Sequence, residues 1–282
     1  MSGLYTINHP SIKLELAIAR IDTLHIHEEI IPAAKDELVR KIPEDSYFLH
    51  PIIVDKETRV VLDGMHRVAA SKALSLNHIP VCFVDYFNPN ILLRCWYRTF
   101  RSLGAGEAET ALRRLGLAWR KVGVEEALRL VEGRSAVAAL LTGSGALVID
   151  DGGDAESMYV AIRRVEKELS GSHGMGFATE RDALDKTRRG EISACVATPT
   201  LRKEEVVSVA IAGRVFPQKT TRHVIPARPM GVRVPLEWLV TDREEAELNE
   251  KLRTYLSSRK IRQMMPGTVI DRKYEEPLYV FE

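Results

Sequence analysis

One junction restricts the fold of this chain more than any other, because a run of β-branched residues changes within five positions into an alanine-rich run. The stretch "RVVLD" ends at Asp63, Gly64 follows, and "MHRVAASKALSL" continues from residue 65 with strong helix formers. Glycine permits positive φ and a close backbone approach. The sequence therefore predicts a strand, a tight turn at residues 63–67 and a helix that begins inside this turn.

The segments around this turn extend the pattern into an α/β unit. "LELAIARI" alternates apolar and polar positions and predicts a strand. "HEEIIPAAKDELVRKI" has apolar residues at about helical spacing, although Pro32 restricts where this helix can begin. "HPIIVD" and "RVVLD" predict two strands joined by the turn-prone "KET", and "IPVCFVDYF" predicts a strand after the second helix. The predicted order is strand, helix, hairpin, helix, strand.

A glycine-containing segment near residues 101–109, "RSLGAGEAE", predicts a linker, and the α/β pattern starts again after it. The predicted segments are helices at 108–122 and 124–133, a strand at 145–150, a helix at 156–169, a strand at 191–199 and a helix at 202–213. We expect an α/β protein with one domain at 1–104, a second α/β domain at 105–240 and a C-terminal helical tail at 241–282. The mixed charges of the tail helix are typical of a solvated face.

The composition restricts the class of protein. The 282 residues suffice for two cores, and 40 basic and 39 acidic side chains give a net charge of +1, which argues against a nucleic-acid partner. Cys82, Cys95 and Cys195 have no C-x-x-C spacing and predict buried small side chains in a reducing compartment. The sequence has no pattern typical of a signal peptide or a membrane helix. We expect a cytoplasmic protein without a membrane partner.

The turn at residues 63–67 has the chemistry of an anion site. Free backbone N–H groups and the positive end of the helix dipole meet at a helix N-terminus. His66 and Arg67 add side-chain donors, and Asp63 has three candidate roles: it caps the helix, orients His66 or Arg67, or holds Mg²⁺ beside a phosphate. An alternative without a ligand is that Asp63 is a simple N-cap and that His66 and Arg67 are ordinary first-turn residues.

"VLDGMHRVAA" resembles the D-G-H-H-R signature of the ParB and sulfiredoxin-like superfamily, specifically its free serine kinase branch. The resemblance implies that Asp63, Gly64, Met65, His66 and Arg67 bind the phosphates of a nucleotide. Met65 stands where the kinases usually have the first histidine, so it contributes only its backbone N–H and packing. It also cannot supply the thiolate that sulfiredoxin chemistry needs. The G-E-R-R turn and helical DNA-binding domain typical of partition proteins are not recognisable in this sequence.

Two further segments agree with this resemblance. "HIHEEII" at residues 25–31 is similar to the His-Glu pair of the serine kinases, which implies that His27 matches the histidine and that Glu28 is the catalytic base. Glu29 is the neighbour to distinguish from Glu28, because consecutive helical residues point about 100° apart. The alternative is that acidic residues in a first helical turn simply interact favourably with the helix dipole.

The third segment, "PQKTTRHVIP" at residues 217–226, is similar to a K-T-T-R-H run of the kinases. The resemblance implies that the second domain brings this run to the amino-acid substrate, and a polar surface turn is the alternative. Trp96 has two interpretations, a wall of the serine pocket or a core side chain. The residues assigned to substrate binding are Trp96, Lys219, Thr220, Thr221, Arg222 and His223, of which Lys219, Thr221 and His223 would hold the carboxylate and nearby phosphate oxygens.

Together the three segments imply a kinase that transfers a phosphoryl group from ADP or ATP, with Mg²⁺, to free L-serine. The products would be O-phospho-L-serine and AMP or ADP, and the active site would lie in a cleft between the two domains. One alternative is a non-enzymatic ParB-like nucleotide-binding regulator, including one associated with DNA. Another is the same chemistry on threonine or homoserine. The sequence leaves open the donor, the oligomeric state and whether the product enters cysteine synthesis.

Overall fold

The computed structural model describes residues 3–150, 152–171, 173–270 and 273–282. The strands of the described residues are, in chain order, β1 (Tyr5–His9), β2 (Ile12–Arg20), β3 (Tyr47–Phe48), β4 (Ile52–Asp55), β5 (Val61–Asp63), β6 (His78–Val84), β7 (Leu92–Arg94), β8 (Tyr97–Phe100), β9 (Trp119–Val122), β10 (Ala138–Thr142), β11 (Gly145–Ile149), β12 (Met175–Ala178), β13 (Ala194–Ala197), β14 (Arg222–Val224), β15 (Arg228–Met230), β16 (Val234–Pro235), β17 (Ile261–Met264) and β18 (Leu278–Phe281). The helices are α1 (Pro32–Asp45), α2 (Met65–Ala73), α3 (Ala105–Arg114), α4 (Val124–Glu132), α5 (Ala155–Ser170), α6 (Glu180–Arg188), α7 (Lys203–Ile211), α8 (Leu236–Leu239) and α9 (Glu245–Ser257).

The chain forms two compact units and passes between them more than once. Unit 1 contains the chain up to Leu92, Val206–Val215 and the residues from His223 onward, and unit 2 contains Leu93–Glu205 and Phe216–Arg222. This division differs from the predicted boundaries at 104 and 240. A boundary inferred from composition assumes that a domain is continuous along the chain, and it cannot detect a later segment that returns to the first unit.

Unit 1 is built on a five-stranded sheet with the order β1-β2-β6-β4-β5. β4 and β6 pair parallel, whereas β4 and β5 pair antiparallel as the predicted hairpin. Its central strands are apolar on both faces, and Ile18, Ile53 and Val81 are fully buried. β2, α1, the β4–β5 hairpin, α2 and β6 follow one another in the predicted order, which is confirmed. β5 ends at Asp63 and α2 begins at Met65, so the predicted turn lies at the edge of this sheet.

The predicted C-terminal tail is part of unit 1. α9 packs against β2 through leucines at helical spacing, Leu248, Leu252 and Leu256, which are all buried. The Asn249 side chain accepts a hydrogen bond of 2.6 Å from the backbone N–H of Ile18. Beyond α9, β17 and β18 form a three-stranded sheet with β15, in which β15 and β18 run parallel. The charged face predicted for this helix is accompanied by an apolar face that closes the core.

Unit 2 is built on a six-stranded antiparallel sheet with the order β12-β8-β13-β10-β11-β9. One predicted helix is wrong in its extent, because residues 108–122 form the end of α3 and then β9. Gly116, with φ of 65°, follows the helix and permits the left-handed conformation that ends it. The three cysteines are buried, as predicted. Among the described residues, the helices are too short or too polar to span a bilayer.

Candidate active site

The turn at residues 63–67 requires glycine at its centre. Gly64 has φ of 102° and is the N-cap of α2. A β-carbon added to Gly64 would lie 2.9 Å from Cβ of Ile52 and 2.9 Å from Nη2 of Arg67, which is closer than real side chains approach. Met65 is the first helical residue. The first backbone N–H groups of α2 follow this glycine, and N–H groups at a helix N-terminus suit an anion.

Arg67 links the turn to the chain just before β4. Its Nη1 donates hydrogen bonds to the carbonyl oxygens of His50 at 2.8 Å and Pro51 at 3.0 Å. Its Nη2 lies 3.3 Å from the Asp63 carboxylate. The sequence predicts Arg67 as a phosphate donor, whereas these contacts show that its guanidinium also holds the chain before β4 and the end of β5 together.

Asp63 lies between two guanidinium groups. Besides Arg67, it forms an ion pair with Arg228, which is 6% exposed and also contacts Glu276 at 2.8 Å. Burial lowers the pKa of Arg228, but the two carboxylates outweigh burial and raise this pKa above its ordinary value. Gly64 occupies the N-cap, so the interpretation of Asp63 as the cap is wrong. Its pairing with Arg67 agrees instead with the predicted orienting role.

His66 joins the turn to the segment that carries Glu28. Its Nε2 accepts a 3.0 Å hydrogen bond from the backbone N–H of Ile31. A neutral ring that accepts at Nε2 carries its proton at Nδ1. The sequence predicts a donor at His66, and the structure shows that Nε2 acts as an acceptor. This contact fixes the distance between the N-terminus of α2 and the residues just before α1.

The segment at residues 25–31 is not helical and precedes α1, so the helix that the spacing from residue 27 indicates begins only at Pro32, the residue that restricts its start. His25 forms a parallel bridge with Val60, and α1 begins at Pro32 because proline suits the first helical position. The first turn of α1 contains no acidic residue, so the helix-dipole alternative for Glu28 and Glu29 is also wrong. Their burial distinguishes them instead, because Glu28 is 7% exposed whereas Glu29 is only half-buried.

His27, which precedes Glu28 in the chain, belongs to a cluster of three ring side chains in unit 1. The rings of His27 and His223 meet edge to face with 5.3 Å between centroids, and the Tyr86 hydroxyl lies 2.8 Å from Nε2 of His223. Burial lowers the pKa of His27 to about 4, so this ring is neutral at pH 7. Sequence reasoning did not assign a role to Tyr86, although "DYF" at 85–87 places a hydroxyl at the end of a buried apolar strand.

Residues 219–222 surround Trp96 in unit 2. The indole Nε1 of Trp96 donates a 3.1 Å hydrogen bond to the carbonyl oxygen of Thr221. The Lys219 ammonium lies 5.1 Å and the Arg222 guanidinium 5.7 Å from the centroid of the Trp96 ring, within the range of cation–π attraction. Trp96 is half-buried, so its indole supports this run rather than filling the centre of a core.

Thr220 and Glu180 shape the same run. The Thr220 hydroxyl donates to the carbonyl of Pro217 at 2.7 Å, and this buried contact differs from the predicted role in binding substrate. Glu180, at the start of α6, pairs with Arg222 at 2.8 Å. Burial raises the pKa of Glu180, but its own backbone N–H and Arg222 bring it below the ordinary value. The sequence reasoning missed Glu180, because its partner lies 42 residues away along the chain.

Comparison with known proteins gives related sequences over most of the chain. No family model matches the sequence. An ADP-dependent L-serine kinase from Thermococcus kodakarensis is 27% identical over 240 residues, which are 82% of this chain and 95% of that protein. An ATP-dependent L-serine kinase from Staphylothermus marinus is 27% identical over 237 residues, 82% of this chain and 93% of that protein. A ParB-like protein from Sulfolobus acidocaldarius is 27% identical over 215 residues, with coverage of 76% and 93%.

The fold also has a solved counterpart. A free serine kinase variant with alanine in place of a glutamate, in complex with AMP, superimposes with a TM-score of 0.70 at 23% identity. The match covers 85% of this chain and 95% of that structure. The predicted fold and the predicted similarity to free serine kinases are both confirmed.

Proposed function

We propose that the protein is a phosphotransferase that moves a phosphoryl group from ADP or ATP to the hydroxyl of free L-serine and forms O-phospho-L-serine. The observation that carries the proposal is that a glycine-centred helix N-terminus and a buried glutamate lie in one unit and are joined by the hydrogen bond from Ile31 to His66. Similarity to L-serine kinases over 82% of the chain supports it.

In this mechanism the turn at 63–67 holds the phosphates of the nucleotide. The backbone N–H groups of the first turn of α2 point along the helix axis, and the helix dipole adds partial positive charge there. Gly64 permits the positive φ that the turn needs, and Ile52 and Arg67 pack too closely against it for any other side chain. Phosphoryl transfer depends chiefly on such positioning and on charge neutralisation, so the backbone supplies much of the required chemistry.

Glu28 serves as the general base. Its carboxylate accepts the proton of the serine hydroxyl while the serine oxygen forms a bond to the terminal phosphorus of the nucleotide. The bond from that phosphorus to the bridging oxygen breaks, and AMP or ADP leaves with the bond electrons. Burial of Glu28 keeps bulk water from its carboxylate, which disfavours hydrolysis of the donor.

The 219–223 run would bind the amino-acid substrate. Lys219 and Arg222 supply positive charge suited to the serine carboxylate and the phosphate oxygens, and His223 supplies a ring nitrogen held by Tyr86. Thr221 has its carbonyl fixed by Trp96, which sets the path of the backbone through this run. The Thr220 hydroxyl is used within the loop, so we assign it a supporting role.

Mg²⁺ enters this proposal with the nucleotide. Among the described residues, no group of three or more His, Cys, Asp or Glu side chains is placed to hold a metal ion. Mg²⁺ commonly binds through substrate phosphates, water and one or two carboxylates. Asp63 is the carboxylate of the turn that would approach it. When bound, the ion neutralises charge on the phosphates.

Three buried free cysteines suit the reducing cytoplasm, where we place the reaction.

The test is ³¹P NMR of the purified protein with Mg²⁺ and L-serine, supplied in parallel with ADP and with ATP. A phosphoserine resonance establishes the kinase, and the nucleotide products identify the donor. Threonine and homoserine in place of serine test the acceptor, because a pocket built for serine should discriminate against the extra methyl or methylene group by about 10- to 200-fold. Failure of every donor and acceptor pair would overturn the proposed function.

The ParB-like relative favours a second candidate, a nucleotide-binding regulator without transferase activity. Such a protein would bind nucleotide at the turn and would have no need of Glu28 as a base. Nucleotide binding without transfer, together with duplex DNA binding that weakens steeply as salt increases, would support this candidate.

A further inference from the structure

Asp63 poses an electrostatic problem at the proposed nucleotide site. The N-terminus of α2 suits anions, yet the residue just before its N-cap is a carboxylate whose side chain is 40% exposed. A carboxylate repels the phosphates that the turn would bind. The chain must therefore compensate the charge of Asp63 if the turn holds a polyphosphate.

Arg228 provides this compensation from the C-terminal part of unit 1. Its side chain is 7% exposed, and it pairs on one side with Asp63 and on the other with Glu276. With Arg67 included, two carboxylates and two guanidinium groups alternate along one chain of contacts, so their formal charges cancel. A buried arginine held by two carboxylates has little freedom to move away from either of them.

A second contact connects the same C-terminal segment to the turn. The backbone N–H of Gly231, which follows β15, donates a 3.0 Å hydrogen bond to Nδ1 of His50. The carbonyl oxygen of His50 in turn accepts from Arg67. β15 and the residue after it therefore support both guanidinium contacts of Asp63, directly through Arg228 and indirectly through His50.

We propose that Arg228 is a positioning residue of the nucleotide site, which neutralises Asp63 so that a carboxylate can stand at a phosphate-binding helix N-terminus. This inference rests on the proposed binding of nucleotide by the turn. It gives the C-terminal three-stranded sheet, which carries Arg228, a part in nucleotide binding. Arg228 acts through Asp63 and need not touch the nucleotide itself.

The test is calorimetric titration of ADP and ATP into Arg228→Gln, Asp63→Asn and the double variant, without Mg²⁺ so that metal binding by Asp63 does not enter. Arg228→Gln should raise the nucleotide Kd about tenfold, because it leaves the Asp63 charge less compensated beside the phosphates. The double variant should return the Kd to within about threefold of the wild-type value, because a neutral amide in place of the carboxylate needs no compensating charge. This non-additivity distinguishes charge compensation from a loss of folded structure.

Arg262→Gln is the matched control, because it removes an exposed arginine that pairs with Glu282 at 3.7 Å in the same sheet. It should leave the Kd unchanged. Arg228→Lys, which keeps the charge, should bind nucleotide better than Arg228→Gln, and a thermal melt of each variant checks folding. The inference is overturned if Arg228→Gln binds nucleotide like the wild type, or if Asp63→Asn fails to rescue it. If the variants show this binding pattern but the wild-type protein phosphorylates no amino acid, the proposed kinase activity alone is overturned.

Discussion

The two units hold their site cations in different ways. In unit 1, Arg67 and Arg228 are fixed by backbone carbonyls and carboxylates, and Arg228 is buried. In unit 2, Lys219 and Arg222 lie against the ring of Trp96, and Glu180 pairs with Arg222. Carbonyls and carboxylates fix both the position and the direction of a guanidinium, whereas an aromatic face fixes mainly the distance.

This difference indicates a division of tasks. In the proposed function, the contacts of Arg67 and Arg228 in unit 1 would shape a backbone turn around Gly64 whose N–H groups face the nucleotide phosphates. In unit 2 the proposed ligand groups would be the side chains of Lys219 and Arg222, which lie over the face of the Trp96 indole. Lys219 has φ of 61°, a conformation that is uncommon for residues other than glycine, so this run also holds its backbone in a special shape.

The largest expected effect comes from Glu28, which belongs to unit 1. Glu28→Gln should lower kcat for serine phosphorylation about 10²- to 10⁴-fold, because the serine hydroxyl loses its proton acceptor. The KM for the nucleotide should change little, because the turn at 63–67 is untouched. Steady-state kinetics with both donors measure the two parameters separately.

Glu29→Gln is the matched control, because it makes the same chemical change one residue along the chain at a less buried side chain. We expect its kcat to stay within about threefold of the wild-type value, below the range typical of a lost general base. Loss of activity in Glu29→Gln with retention in Glu28→Gln would reassign the base.

The second prediction concerns the pH dependence of stability in unit 1. The pKa of His27 is about 4 in the fold, against an ordinary value of 6.5, so the unfolded chain takes up a proton first as the pH falls. The stability that neutral His27 contributes is therefore complete above pH 6.5 and is lost progressively between pH 6.5 and pH 4. A shift of this size corresponds to about 3 kcal/mol.

His27→Asn tests this prediction, because asparagine does not titrate. Urea unfolding at pH 7 and at pH 4.5 should show that the wild type loses more unfolding free energy on acidification than the variant does. The comparison of slopes removes the contribution of the other titrating groups, which both proteins share. Equal slopes would show that burial does not hold His27 neutral.

The sequence predicts the backbone of unit 1 well and the contacts of its charged residues poorly. The alternation of β2, the hairpin and the glycine turn are local signals, and each leads to the observed element. One partner of Asp63, Arg228, is 165 residues away, and no local pattern marks it. The three family segments locate the candidate residues, but side-chain geometry decides which of them donate to a ligand and which support the fold.

Local sequence patterns also do not predict how the chain divides between the two units. α9 has the mixed charges of a solvated helix, yet its leucine face packs on β2. The residues of the K-T-T-R-H run are divided between the two units, with Arg222 in unit 2 and His223 in unit 1. A contiguous motif in sequence gives no sign that its residues will pack in different units.

The third prediction tests the rigidity of the turn. Gly64→Ala places a β-carbon against Ile52 and Arg67 at φ of 102° and should lower the free energy of unfolding by about 1–3 kcal/mol. The nucleotide Kd should rise as well. Gly123→Ala is the control: Gly123 is also the N-cap of a helix, but its φ is −71° and nothing lies within 4 Å of an added β-carbon. Its cost should stay below about 1 kcal/mol, and a comparable loss in both variants would contradict the steric explanation.

The smallest effect is expected where an aromatic ring supports the cations. Trp96→Phe keeps a ring beneath Lys219 and Arg222 but removes the hydrogen bond to the Thr221 carbonyl, a loss of about 1 kcal/mol. The KM for serine should therefore rise about fivefold, with little change for the nucleotide. Trp96→Ala should raise it further, because both cations lose the aromatic face.

Trp238 of unit 1 offers the matched control, because its ring carries Lys251 with 4.0 Å between the ammonium and the centroid, and neither residue is assigned to serine. Trp238→Phe and Trp238→Ala should leave the KM for serine unchanged. If the Trp96 and Trp238 series behave alike, the effect is a general loss of packing and the assignment of 219–222 to the substrate fails. If only the Trp96 series raises the KM for serine, and alanine does so more than phenylalanine, then the ring itself holds the Lys219 and Arg222 cations in place. Such a result would confirm that unit 2 recognises its ligand through side chains supported by an indole, in contrast to the carbonyl- and carboxylate-fixed turn of unit 1.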